Sequence, residues 1–176
     1  SPSLVCPPEE LSSDEREMAS TAEKFMDKEV LPHLEALEHR EEGLALKYFR
    51  QAAGLGLLAV EVPEEYDGLG LGKTAAIGVA EQLSRLAGFG ITCGAHSGIG
   101  TGPITYFGNE AQKKKYLPRL APGELMAAYC LSEAGSGSDA LGMKTKAVLN
   151  AAKTHYVLNG AKMWITNAAW ADVFVV

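Results

Sequence analysis

The sequence is poor in cysteine, in aromatic residues and in positive charge, and it has no long apolar run. Its three cysteines, Cys6, Cys93 and Cys130, stand at no paired spacing and have no histidine at metal-ligand distance. Neither a disulfide framework nor a metal site is indicated, and a reducing, intracellular compartment is the expectation. With 16 basic against 22 acidic residues the net charge is −6, which disfavours nucleic acid and anionic membranes as partners. The longest basic run, Lys113-Lys114-Lys115, falls in a helical stretch and is a solvated face. No stretch is long and apolar enough for a membrane-spanning helix, and Ser1 to Ser13 lacks the basic start and apolar core of a secretory signal. What is there is ordinary: 47% hydrophobic and 22% charged residues over 176 positions, enough for one good core or two small ones.

Hydrophobic patterning divides the chain in two. Up to Leu125 it is helical. Ser12 with Glu15 forms a capping box before the stripe Met18, Ala22, Phe25, Met26, Val30 and Leu34, interrupted near Pro32. Leu44, Tyr48, Phe49 and Ala52 give a shorter helix ending at Gly54. After a Pro/Gly loop, Thr74 is expected to cap a helix burying Ile77, Ala80, Leu83 and Leu86. Phe89 to Phe107 reads as a buried helix with small-residue contacts, and Asn109 with Gln112 opens another that Pro122 and Gly123 stop.

Beyond Gly123 the period shortens to that of strands: Met126–Leu131, Lys144–Leu149, His155–Leu158, Lys162–Thr166 and Val173–Val176, with Asn159-Gly160 as a hairpin signal. The expected fold class is therefore multi-domain α and β, an all-α helical domain over 1–125 followed by an antiparallel β domain over 126–176. The chain starts on Ser and stops inside an apolar run, so a piece of a longer protein is expected.

Several motifs are decoys. Gly54-Leu55-Gly56-Leu57-Leu58-Ala59 has dinucleotide-loop spacing but follows a helix, and Gly72-Lys73-Thr74 lacks the earlier glycine of a phosphate loop. His96 beside Ser97, in an apolar stretch, reads as a satisfied core histidine. No nucleophile elbow occurs.

Two segments carry chemistry. Tyr129-Cys130-Leu131-Ser132-Glu133-Ala134-Gly135-Ser136-Gly137-Ser138-Asp139 runs from an apolar strand into a loop of hydroxyls and glycines, which can offer several donors to one polar ligand edge. Lys162-Met163-Trp164-Ile165-Thr166-Asn167 then sets a planar ring beside a hydroxyl donor. Alone, the first is an ordinary solvated loop and the second a strand with a core Trp. In this order and spacing they suit a flat ring with a polar edge.

The pair resembles the flavin-binding signature of the acyl-CoA dehydrogenases. Val62-Pro63-Glu64-Glu65-Tyr66-Asp67-Gly68-Leu69-Gly70-Leu71-Gly72 and Phe107-Gly108-Asn109-Glu110-Ala111-Gln112-Lys113-Lys114-Lys115-Tyr116-Leu117-Pro118 extend the resemblance from about Glu17 to Val176. Gly94-Ala95-His96-Ser97-Gly98-Ile99-Gly100 and Leu141-Gly142-Met143-Lys144-Thr145 are most similar to bacterial long-chain and very-long-chain members. The resemblance implies a helical domain and the first part of a β-barrel domain, with the family's C-terminal four-helix domain absent. It implies FAD as cofactor, an acyl-CoA substrate, an acceptor such as electron-transfer flavoprotein, a homodimer or homotetramer, and a bacterial cytoplasmic or mitochondrial matrix location.

Carried over by residue, it implies flavin contacts from Tyr129, Leu131, Ser132, Gly137, Ser138, Trp164, Ile165 and Thr166, with Ser138 also on the acyl-CoA. Trp164 and Thr166 would face the ring and Met163 and Ile165 point away by strand alternation, with Ile165 touching the cofactor through its backbone. Ser132 stands where Thr is common, Ala134 where Pro is usual, and Ala168-Ala169 replaces a Gly pair. The implied reaction is α,β-dehydrogenation of an acyl-CoA in fatty-acid β-oxidation. Its catalytic base is a C-terminal Glu beyond this chain; Glu133 matches a structural acid, so no catalytic residue is assigned within residues 1–176. Alternatives are an acyl-CoA oxidase, or a non-catalytic CoA-ester or protein-binding module.

Overall fold

A computed structural model describes residues 11–176; Cys6 and most of the Ser1–Ser13 segment lie outside them. Helix α1 (Ser13–Phe25) starts on the expected capping box: Ser12 Oγ accepts from Glu15 N–H at 3.2 Å and Glu15 Oε2 accepts from Ser12 N–H at 2.7 Å. The helix does not break at Pro32. It widens into a π-helical turn (Met26–Val30), tightens to a 3-10 turn (Leu31–His33) and continues as α2 (Leu34–Glu38). A proline has no N–H and its ring crowds the carbonyl four residues back, so a local change of helical pitch accommodates it. Helix α3 (Leu44–Gly54) buries Tyr48, Phe49, Ala52 and Ala53.

Helix α4 (Lys73–Leu83) differs from expectation. Gly72 is its N-cap, with no side-chain cap, and its buried face is Ala75, Val79 and Leu83. Ile77 is 66% exposed. The face is set by packing against α1, where a Cβ on Gly78 would lie 3.3 Å from Ala19 Cβ; bulk goes to the neighbouring i, i+4, i+8 stripe instead. Residues Leu57, Leu58 and Ala59 are buried in a turn without a following helix, and Lys73 pairs with Glu61. The first lookalike is therefore a turn, and the second is the N-cap glycine and first two residues of α4.

The Phe89–Phe107 stretch is one continuous helical run: α5 (Ala87–Gly94), a π segment (Ala95–Thr101) and α6 (Gly102–Phe107). Here too the widened turn precedes a proline, Pro103. Helix α7 (Glu110–Leu120) begins on the Asn109/Gln112 capping box and ends before Gly123, which has φ +69°.

The β part departs further. Strand β1 (Ala127–Tyr129) pairs with β4 (Val173–Val175) in parallel, Ala128 opposite Phe174. Strands β2 (Lys146–Leu149) and β3 (Tyr156–Asn159) pair antiparallel, Ala147 opposite Leu158. Their turn is closed by Asn150, whose Oδ1 accepts from Thr154 and His155 N–H at 2.8 and 3.2 Å, so the expected Asn159-Gly160 hairpin is wrong. Lys162–Thr166 is not a strand: Trp164 is left-handed at φ +59° and Asn167 at φ +70°. Among the described residues there are two two-stranded sheets and no closed barrel.

The main core joins α1, α3, α4 and α5 through Phe25, Met26, Phe49, Leu58, Val79 and Phe89. Strand β1 is docked on the π segment, with Ala127 and Ala128 fully buried. A Cβ on Gly100 would come within 2.7 Å of Ala127 Cβ, so only glycine permits this approach.

Candidate functional site

His96 ties the helical half to β1. Its ring is fully buried, with Nε2 3.1 Å from Leu120 O and Nδ1 accepting from Ala127 N–H at 3.0 Å. These contacts require a neutral imidazole protonated on Nε2. Burial pulls its pKa down to about 4, against a smaller opposing effect of the Leu120 carbonyl. Phe49 meets the ring edge-on, centroids 5.0 Å apart. His96 is thus a satisfied core histidine.

On the open side of this junction lies a groove of about 320 Å³. Its walls are Tyr129, Leu131 and Ser132 from β1 and the following loop, Trp164, Ile165 and Thr166 from the second segment, and Ala95 and Ile99 from the π segment. The structure therefore brings together six of the eight residues named from sequence. Gly137 and Ser138 are not among them; both sit on an exposed turn outside the groove. That turn is tied off internally: Glu133 N–H donates to Ser136 O at 2.9 Å, and Ser136 Oγ to Asp139 O at 2.6 Å.

The second wall is held by a turn rather than by strand pairing, which corrects the expected alternation. Met163 N–H donates to Ser132 O at 3.0 Å. Asn167, buried and left-handed, donates from Nδ2 to Thr92 O at 2.9 Å, while its carbonyl accepts from Trp170 and Ala171 N–H at 2.9 and 2.8 Å. Asn tolerates the left-handed region better than most residues; Trp164 enters it without that help. Consecutive residues then share one side, so Ile165 lines the groove beside Trp164 and Thr166, and Trp164 stands 84% exposed at its edge.

Glu133 does not line the groove. Lys144 and Thr145 N–H donate to its two carboxylate oxygens at 2.7 and 3.0 Å, and Lys162 Nζ lies 2.9 Å from Oε1. The Thr145 hydroxyl, close by but without a well-formed hydrogen bond, leads these groups in holding the carboxyl down to about 2. A carboxylate so acidic and so fully engaged is a poor proton acceptor near neutral pH.

Ala95 and Ile99 escaped the sequence reading. One turn of helix separates them, and neither bears a chemical handle. A larger hollow of about 550 Å³ lies near Trp170 and the α2–α3 loop; its lining includes Glu38, Glu41 and Glu42 against one Arg40. That balance repels anionic ligands, so the groove is the better candidate for a phosphate-bearing cofactor or substrate.

Residues 12–124 match the family model described as acyl-CoA dehydrogenase, N-terminal domain, and residues 128–176 the one described as acyl-CoA dehydrogenase, middle domain. A probable acyl-CoA dehydrogenase of Bacillus subtilis (strain 168) is 53% identical over 96% of this chain and 28% of its own length. Mitochondrial isovaleryl-CoA dehydrogenase of Pongo abelii is 40% identical over 94% of this chain and 39% of its own. Human mitochondrial very long-chain specific acyl-CoA dehydrogenase is 47% identical over 69% and 19%. The crystal structure of an acyl-CoA dehydrogenase complexed with FAD from Bacillus anthracis superposes with a TM-score of 0.94, at 57% identity, covering 99% of this chain and 30% of that one. The chain spans between about a fifth and two fifths of the length of these curated relatives. With both domain models matched in order over nearly all the described residues, the chain belongs to the acyl-CoA dehydrogenase family.

Proposed function

We propose that the groove holds the ring of FAD and that the protein carries out α,β-dehydrogenation of an acyl-CoA, with a long acyl chain preferred. The observation that carries this reading is the convergence of Tyr129, Leu131, Ser132, Trp164, Ile165 and Thr166 on one groove. Their chemistry fits a flat, polar-edged ring: an indole and apolar side chains for its faces, and two hydroxyls for its edge. Bound FAD would supply the hydride acceptor.

Within this chain, Thr166 Oγ would donate to the ring edge where hydride arrives, and Ser132 to the opposite polar edge. Trp164 would shield the ring from water on its outer side. Ser138, on the exposed turn, would meet the cofactor phosphate and the acyl-CoA only if that turn closes over the groove. Glu133 takes no part in proton abstraction. The α-proton would go to a carboxylate outside residues 1–176. The two small sheets, one parallel and one antiparallel, would be the start of the barrel. Electron-transfer flavoprotein is the proposed acceptor, and a homodimer or homotetramer the proposed assembly.

Support comes from the FAD-complexed relative and from the apolar groove wall at Ala95 and Ile99, which suits an acyl chain. The test is direct. The purified full-length protein should be yellow and be bleached anaerobically by a long-chain acyl-CoA, with slow recovery in air. A folded, colourless protein that takes up no added FAD would overturn the reading in favour of a binding module; rapid reoxidation by air would favour an oxidase.

A further inference from the structure

We propose that Glu133 and Lys162 form a positioning latch that sets the separation of the groove's two walls, a role that rests on the flavin reading above. Lys162 Nζ is 2.9 Å from Glu133 Oε1 and donates to Leu131 O at 2.9 Å. The same carboxylate receives the Lys144 and Thr145 amides, so one anion ties three chain segments: the loop after β1, the approach to β2, and the residues before Trp164. Next to it Met163 N–H reaches Ser132 O at 3.0 Å. Leu131 and Ser132 line one wall, and Trp164, two residues after Lys162, lines the other.

Both side chains are nearly buried, at 12% and 9% exposure, and neither lines the groove. They act through Leu131, Ser132 and Trp164 and are positioning residues, not catalytic ones. A buried ion pair adds little net stability over an apolar replacement of similar volume, because desolvation offsets the attraction. What it adds here is direction: the ammonium must satisfy a carbonyl on one wall and a carboxylate anchored to a third segment. Trp164 sits at φ +59°, a conformation held by its surroundings rather than by its own preference.

Removing one partner strands the other, so Glu133→Gln and Lys162→Met should each lower the thermal midpoint. The informative variant is the charge-free double, Glu133→Gln with Lys162→Met. In the full-length protein it should recover most of the midpoint, yet bind FAD at least tenfold more weakly and show an altered visible circular dichroism of the bound flavin. Native FAD affinity and an unchanged spectrum in the double would reduce the pair to a stability element and overturn the latch. Should the double not fold, Lys162→Arg, which keeps a charged donor, must hold FAD more tightly than Lys162→Met; equal affinities also overturn it. If the unaltered protein binds no FAD, the flavin reading falls by itself. The latch is then decided by Trp164 fluorescence in a Trp170→Phe background, where the double must shift the emission and an unchanged emission overturns it.

Discussion

Thr166 is the residue on which the proposed chemistry depends most directly. It lines the groove together with Trp164. Thr166→Val keeps the shape and removes the donor, so flavin reduction by acyl-CoA should slow by about tenfold or more while FAD stays bound. Stopped-flow rates equal to the unaltered protein's would remove Thr166 from the mechanism. His96 makes a different prediction at the same scale. Its pKa, pulled by burial to about 4, lies below the ordinary 6.5, so as pH falls the unfolded chain takes up a proton first. Its contribution is whole above pH ~6.5 and is lost between there and pH ~4, about 3 kcal/mol in all. Glu133, held at about 2 chiefly by the Thr145 hydroxyl and then the amides and Lys162, loses its contribution only below its ordinary 4.5. The two windows therefore separate. Urea midpoints at pH 7.5 and pH 4.5 should differ markedly less in His96→Gln than in the unaltered protein; an equal pH effect would contradict the assignment.

At the scale of elements, the junction between the π segment and β1 decides whether the groove exists. Gly100→Ala would set a Cβ 2.7 Å from Ala127 Cβ and 2.9 Å from Ala95 O. Displacement of β1 should cost ~1–3 kcal/mol and weaken FAD binding more than Gly94→Ala, whose Cβ would meet nothing within 4 Å. Equal effects of the two would argue against a tight junction. The helices were legible because capping boxes and 3.6-residue stripes are local: Ser12/Glu15, Asn109/Gln112 and the α3 face all stand as read. The α4 face was not, because Ala75 and Val79 face inward for the sake of α1, which sequence periodicity does not see. The Lys162–Thr166 segment alternates like a strand, yet the bonds from Met163 to Ser132 and from Asn167 to Thr92 turn it into an irregular wall.

At the scale of the molecule, β2 and β3 are open on both faces. Val148, Leu149, Tyr156, Val157 and Leu158 are each at least 41% exposed. A two-stranded hairpin with apolar faces is only marginally stable and prone to pairing with other chains. Residues 1–176 expressed alone should therefore associate, retain FAD weakly and show no acyl-CoA-dependent dye reduction. Adding Tyr156→Thr and Leu158→Lys should raise the monomer fraction in sedimentation; no change would place the association elsewhere.

The sequence by itself determined most of the helices and the core place of His96, because capping and apolar periodicity are properties of short stretches, while the six groove residues were named through the family resemblance. Only the tertiary structure decided that β1 pairs with β4 in parallel, that Ala95 and Ile99 complete the groove, and that Gly137 and Ser138 stand outside it. It also supplied the partners of Glu133, the Lys144 and Thr145 amides and the Lys162 ammonium. Each of these depends on contacts between segments far apart in the chain, where the partner, and not the residue's own preference, sets the geometry.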